Sequence, residues 1–343
     1  RAKISPAKMS GSMNTPWVEK YRPATIEQVA HQTQVVETLR SALQTGNLPH
    51  LLFYGPPGTG KTSTILALAK DLFGPQLYKS RVLELNASDE RGIEVVRTKI
   101  KNFASLAVSN STGKTSGHPC PPFKLIVLDE ADSMTGDAQS ALRRTMETYT
   151  KVTRFCIVCN YVSRIIGPIA SRCAKFRFCP LSRDVMMSRL TDIGTKEGFD
   201  LDPSVADALM TVSGGDMRKA ITLLQNTHVL YGKNLDAEKV SGAAAVLPDR
   251  CIEELLQACS SNSFEKAEAA VHNVILEGYP AHQLVAQMSE YVVGKGGKNL
   301  SSKSKAIICR QLGATDKCLT DGADETLQLL NLASVTMQAI QAS

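Results

Sequence analysis

The residues whose types and spacing allow chemistry lie in three short runs and two arginine positions. Gly55-Pro56-Pro57-Gly58-Thr59-Gly60-Lys61-Thr62 has the spacing G-x-x-x-x-G-K-[ST], a phosphate loop wherever a strand precedes it and a helix follows. Its glycines let backbone N–H groups approach phosphate oxygens, and the helix running on through Ser63 adds the positive end of its dipole. Lys61 is expected to reach the β- and γ-phosphates, and the Thr62 hydroxyl to ligate Mg2+. Leu125 to Leu128 is apolar and ends in Asp129-Glu130. An acid at a strand tip sets Asp129 beside the metal, with Glu130 as general base on a water. Two acids opening a helix would look the same. The apolar run Phe155 to Cys159 ends in Asn160, whose amide can hydrogen-bond a γ-phosphate or the water, or serve a turn. Arg172, in Ser171-Arg172-Cys173, and Arg218, in the stretch Gly214 to Ala220, each offer a guanidinium to a transferring phosphoryl group or to a surface ion pair.

Buried strands and amphipathic helices must position these groups. The apolar runs Leu51–Tyr54, Val82–Leu85, Leu125–Leu128, Phe155–Cys159 and Phe176–Phe178 mostly lack polar alternation, as strands covered on both faces do. Helical patterns over Thr62–Leu72, Ile93–Leu106 and Ala138–Thr148 lie between them, which predicts an α/β domain with a parallel sheet. Strand signals stop after Leu181. Helices are expected near Val185–Lys196, Ser204–Val212 and Asp216–Leu230, then at Cys251–Ser260, Phe264–Leu276, Ala281–Val293, Lys303–Leu312 and Asp324–Ile340. The reading is a disordered arm (1–15), an α/β core (16–180), a small helical unit (181–246) and an all-helical unit (247–343). Ser109–Pro122, rich in Ser, Thr, Gly and Pro, is expected to be an exposed loop.

The chain has 343 residues, enough for two or three domains at roughly 150 residues each, and a formal charge of +6. A surplus that small permits a polyanionic partner without requiring one. No apolar run approaches the ~20 residues of a membrane helix. Nine scattered cysteines do not form a disulfide framework, and buried thiols of a reducing compartment are expected. Cys156-x-x-Cys159 lies inside a strand, where residues three apart face opposite ways, so it is poorly placed to share a metal. From Arg91 to Phe103 the sequence is amphipathic, with Arg97 and Lys101 four apart on one face. Basic residues so placed, Arg91 included, suit sequence-independent contacts to DNA phosphates, or form a solvated basic face.

Together, Trp17-Val18-Glu19-Lys20-Tyr21-Arg22-Pro23, the GPPGTGKT loop, LELNASDERGI (Leu83 to Ile93), LDEAD (Leu128 to Asp132) and Ser171-Arg172-Cys173 resemble an AAA+ clamp loader. More narrowly, the chain resembles the small subunits of eukaryotic replication factor C, most closely the subunit-four type. The likeness is dense from Trp17 to Arg218 and becomes a helical pattern beyond Pro248. It implies an AAA+ P-loop ATPase core, a helical lid and an all-α collar, with ATP and Mg2+ as cofactors. It also implies that the loop Gly55 to Ser63 binds ATP, with Val18, Arg22 and Val29-Ala30 near the adenine, although many relatives carry Val-Gly where this chain has Ala30-His31. Asn160 becomes the first sensor, Arg218 the second, and Arg172 the finger acting on a neighbouring subunit's ATP. The implied partners are the other subunits of a hetero-pentamer, a sliding clamp and primer–template DNA, with a role in replication and repair in the nucleus. Three other readings stand beside this one. They are a DEAD-type helicase, disfavoured because everything after Pro180 reads as helical, another AAA+ remodelling ATPase, and a nucleotide-binding scaffold.

Overall fold

Five short strands pair as one parallel sheet in the computed structural model, which describes residues 15–23, 25–29, 35, 37–39, 48–88, 96–106, 120–244, 246–294 and 300–342. The chain divides into two compact units, Arg1–Val229 and Leu230–Ser343.

In the first unit, α1 (Trp17–Lys20) precedes β1 (Leu51–Tyr54), α2 (Lys61–Arg81) and β2 (Val82–Asn86). A π turn over Val96–Ile100 leads into α3 (Lys101–Ser105), followed by β3 (Lys124–Asp129), α4 (Gly136–Tyr149) and β4 (Thr153–Cys159). Next come α5 (Gly167–Ala170) and β5 (Ala174–Arg177), then α6 (Arg183–Glu197), α7 (Pro203–Ser213) and α8 (Met217–Tyr231). The strand order is β2-β3-β4-β1-β5. Because all neighbours run parallel, every strand ends at the same sheet edge, with Tyr54 opposite Cys159 and Asn86 opposite Asp129. Loops leaving that edge meet there, which is where open α/β sheets bind ligands.

Alternate strand residues feed two cores. Leu51, Phe53, Leu125, Val127, Cys156 and Val158 pack with Ile65, Leu68 and Leu72 of α2. Leu52, Ile126, Leu128, Phe155, Ile157 and Cys159 pack with Leu142 and Met146 of α4. Cys156 and Cys159 therefore face opposite sides of the sheet. Burial raises both thiols, Cys159 to about 12.

Several boundaries differ from the sequence reading, for physical reasons. Helix α2 continues past Leu72 to Arg81, bending at Gly74 (φ 63°) so that Pro75 starts a second helical stretch. Strand β4 begins at Thr153, where it pairs with Lys124 of β3, and the Arg154 side chain turns back to the carbonyls of Leu48 and Thr150. Strand β5 spans Ala174–Arg177, and Phe178 lies just past it, buried against Phe53 at 5.0 Å between rings. Cys179 is exposed, and Cys120, Cys309 and Cys318 are half-buried, so the expectation of buried thiols holds for five cysteines and not for these four.

The second unit is helical: α9 (Ala237–Ala243), α10 (Asp249–Ser260), α11 (Phe264–Leu276), α12 (Ala281–Val293), α13 (Ser302–Thr320) and α14 (Glu325–Gln341). Ser263, Ser301 and Asp324 cap α11, α13 and α14 by accepting first-turn N–H groups. Leu255, Val271, Leu284, Met288, Ile308, Leu312 and Leu332 lie in its core. No helix among the described residues is long and apolar enough to cross a membrane.

Candidate functional site

At the end of β1 the chain turns through Gly55 to Gly60 and enters α2. Gly58 and Gly60 adopt φ of +70° and +89°, a region that costs a side-chain-bearing residue about 1–2 kcal/mol. The turn is braced internally. Thr59 Oγ1 donates to the Pro56 carbonyl at 2.9 Å, and Thr64 Oγ1 to the Gly60 carbonyl at 2.8 Å. The N–H groups of Lys61, Thr62 and Ser63 stand in the first turn of α2, where a helix has donors without intrahelical acceptors.

Lys61 is 7% exposed. Its Nζ donates to the carbonyls of Gly55 and Pro56 at 2.8 Å each, and to Asn160 Oδ1 at 2.9 Å. Burial pulls its pKa below the ordinary lysine value, against the attraction of Asp129, and Arg218 pulls it the same way as burial. Thr62 Oγ1 donates to Asp129 Oδ2 at 2.7 Å, while Asp129 Oδ1 accepts the Glu130 N–H at 2.9 Å. This hydroxyl and carboxylate are hard oxygen donors side by side, a set that fits Mg2+. Glu130 is exposed, in the left-handed region at φ 52°, and its carbonyl accepts both the N–H and Oγ–H of Ser133. Asp132 Oδ2 accepts the N–H groups of Asn160 and Tyr161 at 3.3 Å each, linking the tip of β4 to the acidic turn.

Around these groups is a cleft enclosing about 1120 Å³, the solvent at its mouth included. Val18, Arg22 and Val29 line one wall, and Arg189, Met217, Arg218 and Ile221 another. Arg22 Nε donates to Ser63 Oγ at 3.4 Å, and Arg189 donates to the Tyr21 carbonyl at 2.7 Å. Lys20 Nζ and Tyr21 Oη both donate to Glu197 Oε1, at 2.7 and 2.5 Å. The cleft thus holds a cation, a hydroxyl–carboxylate pair, a free-standing carboxylate and an apolar pocket, which is the equipment for binding and cleaving a nucleoside triphosphate.

A family model described as the ATPase family associated with various cellular activities (AAA) matches residues 51–181, and the replication factor C C-terminal domain matches residues 247–335. The chain is 55% identical over 325 residues to replication factor C subunit 2 of Oryza sativa, covering 95% of each protein. It is 55% identical over 326 residues to replication factor C subunit 4 of Homo sapiens, covering 95% of this chain and 88% of that one. The chain belongs to the replication factor C small-subunit family. It is thereby an ATPase subunit of a multi-subunit clamp loader acting in DNA replication. The archaeal small subunit of Archaeoglobus fulgidus is 44% identical over 314 residues, with 91% and 94% coverage. In fold the chain resembles the Thermotoga maritima RuvB Holliday junction branch migration motor (TM-score 0.51, 16% identity, 78% of this chain and 91% of that one). Family membership speaks against the helicase, the remodelling ATPase and the scaffold.

For a replication factor C subunit, the remaining sequence-predicted residues divide by position. Gly55, Pro56 and the cleft residues Pro57 to Ser63 come together with Asp129, Glu130, Asn160 and Arg218. Arg172 does not join them. It is exposed after α5, donating to the Pro168 carbonyl at 2.7 Å and to Glu147. Lys101 is exposed at the start of α3. Ala30 and Arg91 lie outside the described residues, as does the side chain of Arg97. Sequence reasoning missed Arg189, Asp132 and Asp216. Asp132 is the last letter of LDEAD, and Asp216 immediately precedes α8; an N-terminal capping preference would have picked out the second.

Proposed function

We propose that this subunit binds ATP·Mg2+ in the cleft and hydrolyses it with an arginine supplied by a neighbouring subunit, as one member of a hetero-pentamer. What carries the reading is the meeting of Lys61, Thr62, Asp129 and Asn160 at one sheet edge. In this reading the Gly55–Ser63 loop holds the triphosphate, Lys61 exchanging neutral carbonyl acceptors for phosphate oxygens, a stronger charge-assisted bond. Thr62 and Asp129 hold Mg2+, which when bound offsets charge on the phosphoryl oxygens. Glu130 accepts a proton from the attacking water, and Asn160 orients that water or the γ-phosphate. Val18, Arg22 and Ala30 face the base, and Arg218 reaches the subunit's own nucleotide from the lid.

The proposed partition is a core over 16–180, a lid over 181–246 and a collar over 247–343, preceded by an arm. The AAA match at 51–181 and the C-terminal-domain match from 247 support it. The proposed partners are the other clamp-loader subunits, a sliding clamp and primer–template DNA, with Arg91, Arg97 and Lys101 on DNA phosphates, in the nucleus. The test is a pair of variants in the assembled complex. Glu130→Gln is expected to retain ATP binding while slowing turnover about 100-fold or more. Lys61→Ala is expected to lose binding at this subunit. Equal loss of binding and turnover in both would overturn the division of roles.

A further inference from the structure

Two guanidinium groups converge on one exposed carboxylate. Glu147, in the last turn of α4, accepts from Arg172 Nη2 through Oε1, and Arg143, one turn earlier, holds its Nε 3.7 Å from the same oxygen. The Arg143 Nε has no hydrogen-bond acceptor among the described residues, but its side chain is 38% exposed, so solvent carries most of its charge and Glu147 is a distant ion-pair partner. Arg172 Nη1 also donates to the Pro168 carbonyl at 2.7 Å.

We propose that Glu147 is a positioning residue for Arg172, fixing its guanidinium so that it meets a neighbouring subunit's phosphoryl group already oriented. This rests on the reading of Arg172 as a finger acting in trans. An exposed ion pair contributes little to folding, and the side chains of Glu147 and Arg172 are both 40% exposed, so fold stability does not account for the arrangement. Orientation does. A free arginine side chain samples many rotamers, and two acceptors on different segments, Glu147 and Pro168, fix the plane of the guanidinium. The platform is firm, because Leu142 and Met146 anchor α4 in the core.

Two of the five guanidinium N–H groups are engaged in this way, which leaves three for a phosphoryl oxygen. Nor does Glu147 cancel the finger's charge. One carboxylate faces two guanidiniums, so the cluster keeps a net positive charge directed at its surroundings. Glu147 therefore orients Arg172 without sequestering it.

The test uses the complete clamp loader, with ATPase measured in the presence of DNA and clamp. Glu147→Ala is expected to lower kcat about 10-fold through lost orientation, with KM for ATP and the melting temperature of the complex unchanged. Glu147→Gln keeps an acceptor oxygen and is expected to recover most of the rate. The double variant Glu147→Ala/Arg172→Ala is expected to be no slower than Arg172→Ala alone, as for residues acting as one unit. Unchanged or faster turnover in Glu147→Ala, beside a slow Arg172→Ala, overturns the positioning role alone. So does additive loss in the double variant. Full turnover in Arg172→Ala overturns the finger reading and the positioning role with it.

Discussion

Gly58 and Asp216 meet so closely that a β-carbon on the glycine would lie 1.8 Å from the aspartate Oδ1. That oxygen accepts the N–H groups of Arg218 at 2.8 Å and Lys219 at 3.2 Å, in the first turn of α8. The phosphate loop therefore packs directly against the cap of the helix that carries Arg218. Gly58→Ala is expected to displace the carboxylate, costing about 1 kcal/mol for the lost cap besides the backbone strain. ATP affinity should fall about 10-fold or more as Arg218 shifts. Gly278→Ala is the control, because at φ +83° its added carbon meets nothing within 4 Å, so it suffers backbone strain alone and lies outside the phosphate loop. Binding titrations that rank the two variants equally would count against this coupling.

Trp17 joins α1 to the helices beyond the sheet. It is 8% exposed, its ring lies 6.2 Å from Phe199 and 5.4 Å from His228, and its backbone N–H donates to Gln225 Oε1 at 2.9 Å. Trp17→Ala is expected to cost about 3–5 kcal/mol and to weaken ATP binding by loosening Val18 and Arg22. Trp17→Phe should keep most of both. Trp17 is the chain's single tryptophan, so denaturation followed by its fluorescence in the parent and by circular dichroism in the variants measures the difference.

The legible part of this molecule was what neighbours in sequence decide. Apolar runs marked the strands, and the phosphate loop, Asp129-Glu130 and Asn160 sat at strand ends that a parallel sheet must bring to one edge. The illegible part depended on distant partners. Gly74-Pro75 reads as a helix stop, yet the chain bends there and the helix resumes. Gly313 likewise reads as an end, but α13 carries on to Thr320, since an exposed glycine costs a helix only about 1 kcal/mol. Arg189 and Glu147 gave no local signal. Their roles come from Tyr21, 168 residues away, and Arg172, 25 residues away.

Thiol reactivity should follow burial. Burial pushes Cys159 and Cys173 up to about 12 and Cys259 to about 11, and holds Cys156 well above its usual value. Thiolate is the reactive form, so these four are expected to resist alkylation at pH 8 while folded. Exposed Cys179 should be modified first. Mass spectrometry after brief iodoacetamide treatment, native and denatured, reads the order directly. Early labelling of Cys156 or Cys159 would mean that the sheet core opens.

Acid should unlatch the sheet at His50. Its Nδ1 accepts the Phe155 N–H of β4 at 3.2 Å, and its carbonyl accepts the Ala174 N–H of β5 at 2.8 Å. A nitrogen that accepts must be unprotonated. Burial, helped by the nearby Arg154 charge, lowers the imidazole from 6.5 to about 4. Between those values the unfolded chain binds the proton and the folded one does not, so stability rises with pH across the window. The contribution is complete above pH 6.5, is lost as pH falls through the window, and levels off below about 4. The whole loss is about 3 kcal/mol. His50→Asn offers a carbonyl oxygen to the same N–H without titrating, so its stability should stay flatter between pH 6.5 and 4.5. Denaturant unfolding of parent and variant across that range decides it, and parallel curves would show that acid acts elsewhere.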